Sequence, residues 1–366
     1  MRDFTAVRRV VVKIGTNVLT EGDHIDREYI RSMAMQIKGL RDAGTEVCLV
    51  SSGAIGLGAH ELGIHGRVQD VVLRQACAAV GQPLLMQVYR DIFRENGISI
   101  GQVLVTREAF DDRNSYVRLR NAVERLLDLE VLPIFNENDS VATAEIGTAF
   151  GDNDQLSAQV ASGIDAGLLV LLSDTDAYYD RDPRRHPDAA PLDSVEAVTL
   201  EMVESAGHAG SSRGTGGMRT KLKAIQIAAD GGCRVVLAHG REGDVLSRIL
   251  KGERVGTVFA ARRNLKNRSR WLLHSAPRGQ IIVDDGAVEA IKRHNSLLVT
   301  GVVTVEGNFD SGDVVMVNDV AKLVSAFSSR ELALLIGRHS SEIPSILGHD
   351  VDRRFIARPE EIVFFE

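Results

Sequence analysis

Two widely separated lysines, Lys13 and Lys221, each stand in a setting suited to holding an anion. Lys13-Ile14-Gly15-Thr16 follows a run of valines, so the lysine would close a strand, and Gly15 would let backbone N–H groups approach a negative charge. A lysine snorkelling from a sheet edge has the same local appearance. Gly214-Thr215-Gly216-Gly217-Met218-Arg219-Thr220-Lys221 reads as a glycine-rich loop opening a helix, where free N–H groups and the helix dipole face one anion. Its spacing fits neither the Walker A loop nor the dinucleotide pattern GxGxxG, and a flexible surface loop is the plain alternative. Gly151-Asp152-Asn153-Asp154 precedes an apolar helix. There a carboxylate can cap the helix, orient the two lysines, or meet a substrate ammonium or a magnesium ion.

Two further polar groups stand at apparent strand ends. Asn136-Glu137-Asn138-Asp139 leaves an uninterrupted apolar run, and such a cluster can bind an amino acid's ammonium group or simply form an Asx-rich turn. Ser51-Ser52-Gly53-Ala54 can receive a carboxylate through hydroxyl and N–H groups, or form a tight strand-to-helix turn. Cationic donors, backbone N–H groups and an orienting carboxylate are the parts that phosphoryl transfer requires. A carboxylate acceptor is already ionised at neutral pH and needs no general base. The histidines show no ligand spacing, and Cys48, Cys77 and Cys233 form no CxxC pair, so neither a zinc ribbon nor a disulfide framework is expected.

The elements that must position these residues alternate regularly. Apolar runs at Val10–Ile14, Glu46–Val50, Ile98–Val105, Val131–Phe135, Leu168–Leu172 and Arg234–Ala238 read as strands. Between them, Arg27–Ala43, Val72–Arg94, Tyr116–Leu129, Asp154–Gly163 and Met218–Ala229 read as helices. That alternation implies βαβ crossovers and an α/β fold with a mostly parallel sheet covered on both faces. Ligands of such sheets sit beyond the carboxyl ends of the strands, where Lys13, Ser52, Asn136–Asp139 and Ser173-Asp174 all fall.

The texture changes near residue 260. The expected division is a catalytic domain over 1–260, a basic linker over 261–277 carrying Arg262, Arg263, Lys266, Arg268 and Arg270, and a small β-rich domain with its tail over 278–366. Strand-like runs there are Gln280–Val283, Leu297–Val305 and Val314–Val317, with a turn over Gly307–Gly312. The chain has 366 residues and a net charge of −7, a poor match to nucleic acid or anionic membrane. No apolar run approaches the roughly 20 residues that span a bilayer, and no signal peptide is apparent. A cytoplasmic protein with reduced thiols is expected.

Taken in order, the stretches VVKIGTNVLT, SSGAIGLG, PIFNENDSVATAEI, GDNDQLSA, LLSDTDAYYDRDPR and GTGGMRTKLKAI resemble the amino-acid kinase family, in the branch that phosphorylates glutamate. GNFDSGDVV looks like part of a PUA domain. The resemblance implies a three-layer αβα sandwich followed by that small PUA-like domain. It implies Lys13 and Lys221 on the transferring phosphoryl group and Asp154 organising them. It implies Ser52, Asp139 and Asn153 on glutamate, with Asn136 nearby. Lys13, Ser173, Asp174, Thr215, Gly216, Gly217, Met218, Arg219, Thr220 and Lys221 would line the ATP site.

ATP and Mg2+ are the implied cofactors and glutamyl 5-phosphate the implied product, at the first step of proline biosynthesis. A homo-oligomer (dimer or tetramer) and handover to a glutamyl-phosphate reductase are also implied. Serines stand at 51 and 173 where the family often has threonine. The alternatives are another kinase of the family, acting on aspartate, acetylglutamate, carbamate or a nucleotide, and an RNA-binding regulatory protein. RNA binding is not expected, because residues 278–366 carry 14 acidic against 9 basic side chains.

Overall fold

The structure is a computed structural model that describes residues 2–22, 24–66, 68–142, 153–206, 217–262, 267–347 and 353–365. The strands, in chain order, are β1 (Arg9–Ile14), β2 (Thr20–Glu21), β3 (His24–Ile25), β4 (Glu46–Val50), β5 (Ile100–Val105), β6 (Leu132–Glu137), β7 (Leu168–Ser173), β8 (Ser194–Val195), β9 (Arg234–His239), β10 (Thr257–Phe259), β11 (Gly279–Val283), β12 (Val302–Gly307), β13 (Val314–Val317), β14 (Ala321–Val324) and β15 (Ile362–Phe364). The helices are α1 (Thr16–Leu19), α2 (Arg27–Asp42), α3 (Ala54–Glu61), α4 (Val71–Glu95), α5 (Glu108–Asp111), α6 (Arg113–Asp128), α7 (Asn153–Gly163), α8 (Leu200–Ser205), α9 (Met218–Asp230), α10 (Val245–Leu250), α11 (Asn267–His274), α12 (Asp285–Lys292), α13 (Ser329–Leu335) and α14 (Ile343–Leu347).

Two compact units result, one of residues 1–109 and 114–264, the other of residues 110–113 and 265–366. In the first, eight strands form one sheet in the order β5-β6-β4-β1-β7-β9-β10-β8. Every pairing is parallel except β9 with β10. β1 is the pivot. β4, β6 and β5 lie on one side of it and β7, β9, β10 and β8 on the other, so a topological switch point falls at its carboxyl end.

Strand β1 is buried along Val10–Ile14, as a parallel strand covered on both faces must be. Val10, Val12 and Ile14 share a core cluster with Ile30, Met33, Ala34, Ile37 and Leu40, the apolar stripe of α2. The Asp26 side chain caps that helix by accepting from the Tyr29 N–H at 2.9 Å. The opposite face carries α7 and α9, whose Leu156, Val160, Leu222 and Ile225 are buried. Lys13 belongs to this second face by the strand's alternation.

Helices α3 and α4 meet backbone against backbone. A Cβ on Gly58 would sit 1.8 Å from the Cys77 carbonyl oxygen, and one on Gly81 would sit 1.9 Å from that of Ala54. The start of α3, just after Ser51-Ser52, and the middle of α4 are therefore held at a separation that no side chain allows. Gly53, at φ 93°, makes the left-handed turn that starts α3 directly from the strand end.

The second unit contains a five-stranded sheet in the order β12-β11-β13-β14-β15, packed around Ile281, Val315, Leu323, Phe327 and Leu332. One expectation is corrected here. Leu297–Val305 is not one strand: a 3-10 turn over Val299–Gly301 precedes β12. Within the basic stretch, Asn267–His274 forms α11, closed by the buried Lys322 ammonium, which donates to the Leu273 and Ser275 carbonyls at 2.8 Å each. Among the described residues, no helix is long and apolar enough to cross a membrane.

Gly81→Ala is expected to lower the urea midpoint by an amount equivalent to at least about 2 kcal/mol, because the methyl group meets main-chain atoms that cannot rotate away. Gly58→Ala should cost a similar amount. Since both relieve the same contact, the double variant is expected to lose less than the sum of the single losses when all three are unfolded in parallel.

Candidate functional site

Three elements deliver three charges to one point beyond the end of β1. Lys13, the penultimate residue of β1, lies opposite Val50 of β4 and Leu171 of β7. Asp154 sits in the first turn of α7 and Lys221 in the first turn of α9. The Lys13 ammonium is 2.6 Å from Asp154 Oδ1 and the Lys221 ammonium 2.9 Å from Oδ2, so one carboxylate engages both lysines. All three residues are buried. Burial alone would raise the Asp154 carboxyl, but the charges of Lys13 and Lys221 overturn it and hold the group well below the usual carboxylate range. Two cations share this one carboxylate. Gly15 passes so close to the next strand that a Cβ there would lie 3.2 Å from the Leu172 carbonyl oxygen and 3.7 Å from the Lys13 ammonium.

Beside this cradle runs a chain of neutral polar groups. The Asn153 amide donates to Ser52 Oγ at 3.1 Å and to Asn136 Oδ1 at 2.9 Å, and it also reaches the Ser51 carbonyl. Asn136 in turn donates to Gln82 Oε1 at 2.7 Å. The Ser51 hydroxyl turns away, lying 2.9 Å from the Tyr89 hydroxyl, so Ser52 is the member of the serine pair that faces the site. Asn136 and Glu137 are the last residues of β6 rather than the start of a turn, because the run keeps its pairing to Leu104 and Val105. The expected four-residue turn therefore reduces to Asn138 and Asp139. Burial pushes the Asp139 carboxyl up to about 6, with Arg74 as a partial counter-charge.

On the other side of β1, Ser173 ends β7 and its hydroxyl donates to Asp174 at 3.0 Å. Asn17 donates to the second oxygen of Asp174 at 2.7 Å. Burial opposes ionisation of Asp174, and these two donors, aided by Lys221, more than offset it and hold the carboxyl low. Gly217 caps α9 through its backbone, and Met218, Arg219 and Thr220 fill the first turn ahead of Lys221, with the Thr220 hydroxyl donating to the Gly217 carbonyl at 2.8 Å. Thr215 and Gly216 lie outside the described residues, as do Gly214, Gly151, Asp152 and Gly147–Phe150.

The structure thus brings Lys13, Asp154 and Lys221 into direct contact, joins Ser52, Asn136 and Asn153 in one network, and sets Ser173 and Asp174 on the adjoining strand end. Sequence reasoning missed Gln82, Asn17 and Tyr89. Asn17 follows the Lys13 motif closely enough that the motif itself points to it. Gln82 and Tyr89 are two of several polar positions in a long helix and carry no local signal.

A profile described as the Amino acid kinase family matches residues 8–239, and one described as the PUA domain matches residues 279–347. The chain is 46% identical over 357 residues to a protein of Methanosarcina barkeri named glutamate 5-kinase, covering 94% of this chain and 93% of that one. It is 41% identical to a glutamate 5-kinase of Thermus thermophilus, covering 98% of each. Among solved structures, a UMP kinase of Bacillus anthracis aligns with 71% of this chain and 98% of its own, at 18% identity and a TM-score of 0.49.

Asp154→Asn should destabilise the protein by roughly 3–5 kcal/mol near neutral pH, because two buried ammonium groups lose their only shared counter-charge. The sign of the pH dependence follows from the depressed carboxyl. Its contribution is complete above the unfolded value of about 4 and is lost as pH falls through the lower folded value. Paired melts of wild type and variant should therefore show a constant gap from pH 5 to 8 that narrows below pH 4.

Proposed function

The chain belongs to the amino acid kinase family, and from that premise we propose that it transfers the γ-phosphoryl group of ATP to the side-chain carboxylate of L-glutamate, giving glutamyl 5-phosphate and ADP. The observation that carries the reading is the pair of lysine ammonium groups held 2.6 and 2.9 Å from one buried carboxylate at the switch point of the sheet. Its support is the near full-length similarity to proteins named glutamate 5-kinase.

The γ-carboxylate of glutamate attacks the γ-phosphorus in line, a new P–O bond forms, and the bond to the β–γ bridging oxygen breaks to release ADP. Lys13 and Lys221 stabilise the negative charge spread over the transferring oxygens, and Asp154 keeps both ammonium groups aimed at one spot. No proton has to be removed from the acceptor. Ser52 and Asn153 hold the glutamate, Asn136 fixes the Asn153 amide, and Asp139 receives the substrate ammonium. Ser173, Asp174 and the segment Thr215–Lys221 hold the nucleotide.

Both oxygens of Asp154 are engaged by lysines, so Mg2+ would enter with the nucleotide, as suits an ion needing few carboxylates. When bound it supplies further neutralisation of phosphate charge.

The catalytic chemistry resides in residues 1–260, and 278–366 form the PUA-like domain. Production of a reactive acyl phosphate at the first step of proline biosynthesis favours rapid handover to a reductase. A cytoplasmic homo-oligomer completes the proposed setting.

The test is ADP release from the purified full chain, which should require glutamate and magnesium together; release that ignores glutamate overturns the assignment. Lys221→Ala should lower kcat roughly 10²- to 10³-fold, the usual cost of one lost electrostatic donor at a transition state. Asp139 predicts a pH effect on binding. Its carboxyl must be ionised to take the ammonium, so the KM for glutamate should rise as pH falls through about 6. In Asp139→Asn the KM should be high and nearly flat over the same interval, and a variant that retains the wild-type pH profile would remove Asp139 from this role.

A further inference from the structure

Gln82 is buried, and its side chain is only half used. Its Oε1 accepts from the Asn136 amide at 2.7 Å, whereas its Nε2 meets no acceptor among the described residues although it is closed off from solvent. The amide cannot be turned round to repair this. Asn136 Oδ1 already accepts from Asn153 and from the Glu137 N–H, which leaves the Asn136 NH2 as the group that faces Gln82. Rotating Gln82 would set donor against donor. A buried N–H group without a partner is costly and rare, and it marks a place where an acceptor belongs.

The position of Gln82 is fixed by its neighbour. Gly81 is in backbone contact with Ala54 and Gly58 of α3, so the residue that follows it is held against the segment that begins at Ser52. The polar chain then runs from Gln82 through Asn136 and Asn153 to Ser52, and Asn153 is adjacent to Asp154, which holds the lysines. Gln82 is thus the end of the network farthest, bond by bond, from the phosphoryl cradle.

We propose that Gln82 is a specificity-determining residue whose Nε2–H group donates to the α-carboxylate of the amino-acid substrate, the carboxylate that is not phosphorylated. This assignment rests on the glutamate kinase reading. A substrate whose reacting carboxylate lies at Lys13 and Lys221 presents its α-amino acid end to the far part of the network. Of the two groups there, the ammonium offers only donors and suits the Asp139 carboxylate. The α-carboxylate offers only acceptors and is the complement of an unused N–H.

The decisive variant is Gln82→Glu, assayed at pH 8 on the full chain. It keeps an oxygen to accept from Asn136 and replaces the donor with a carboxylate oxygen. The KM for glutamate should rise at least 10-fold, with the KM for ATP within about two-fold of wild type. If Gln82 merely props up Asn136, this variant retains the prop and should bind glutamate as wild type does, which overturns the proposal. Equal losses in the glutamate and ATP constants overturn it as well. Gln82→Met, which adds no charge, is assayed with glutamate and with 4-aminobutyrate, which lacks the α-carboxylate: a loss confined to glutamate supports the assignment, and equal losses with both overturn it. Wild-type protein without glutamate-dependent ADP formation would instead sink the kinase reading and this assignment with it.

Discussion

The Asp154 carboxylate, shared by Lys13 and Lys221, is the constraint around which the first unit is arranged. Removing three charges from water is expensive, and two lysines lean on one buried carboxylate, with the Asp174 carboxylate as a further negative charge acting on Lys221. As a device for stability alone this would be a poor choice, since an apolar core of the same volume does as well or better. It becomes intelligible as a site for an anion. The two ammonium groups are held by the fold in a fixed direction, as donors to phosphate oxygens would need to be. Strand β1 supplies one lysine, the first turns of α7 and α9 supply the other two groups, and the central place of β1 among its parallel neighbours makes the meeting point a crevice.

Much of this was legible in the chain because it depends on long, one-directional signals. Uninterrupted apolar runs such as Val10–Val12 and Leu168–Leu172 mark buried parallel strands, and the polar residues that stop them mark the rim. Lys13, Asp154 and Lys221 were identified through ordered motifs rather than by any single one, and their convergence is a property of the sheet order that no local pattern contains. Errors arose where the local signal is weak. Asn136 and Glu137 look like a turn, yet pairing with Leu104 and Val105 extends the strand through them. Leu297–Val305 looks like one strand, yet the chain turns over Val299–Gly301 before pairing begins. Gln82 was invisible because one glutamine among the several polar residues of a long helix resembles any solvated position until its neighbours are known.

The second unit has its own logic. Its sheet is small, its core is made of aliphatic side chains with Phe309 and Phe327, and a buried lysine from β14 finishes α11 by holding two of its last carbonyls. A helix end needs such partners when it is not left to water. The basic stretch is therefore partly structural: Arg268 pairs with Glu361 at 2.7 Å. Cationic side chains spent on internal contacts contribute little to attracting a polyanion, in keeping with the acidic excess of residues 278–366.

The bare contact between α3 and α4 reaches beyond mechanical support. In the connection between the two helices, Leu62, Gly63, His65, Gly66, Gln69 and Asp70 are exposed, and such surface positions tolerate change. At Gly58 and Gly81 the permitted alphabet shrinks to one letter, since even a methyl group would push the two helices apart. In the history of this lineage, the recognition of the substrate's far end would then be guarded by two residues that bear no functional group at all.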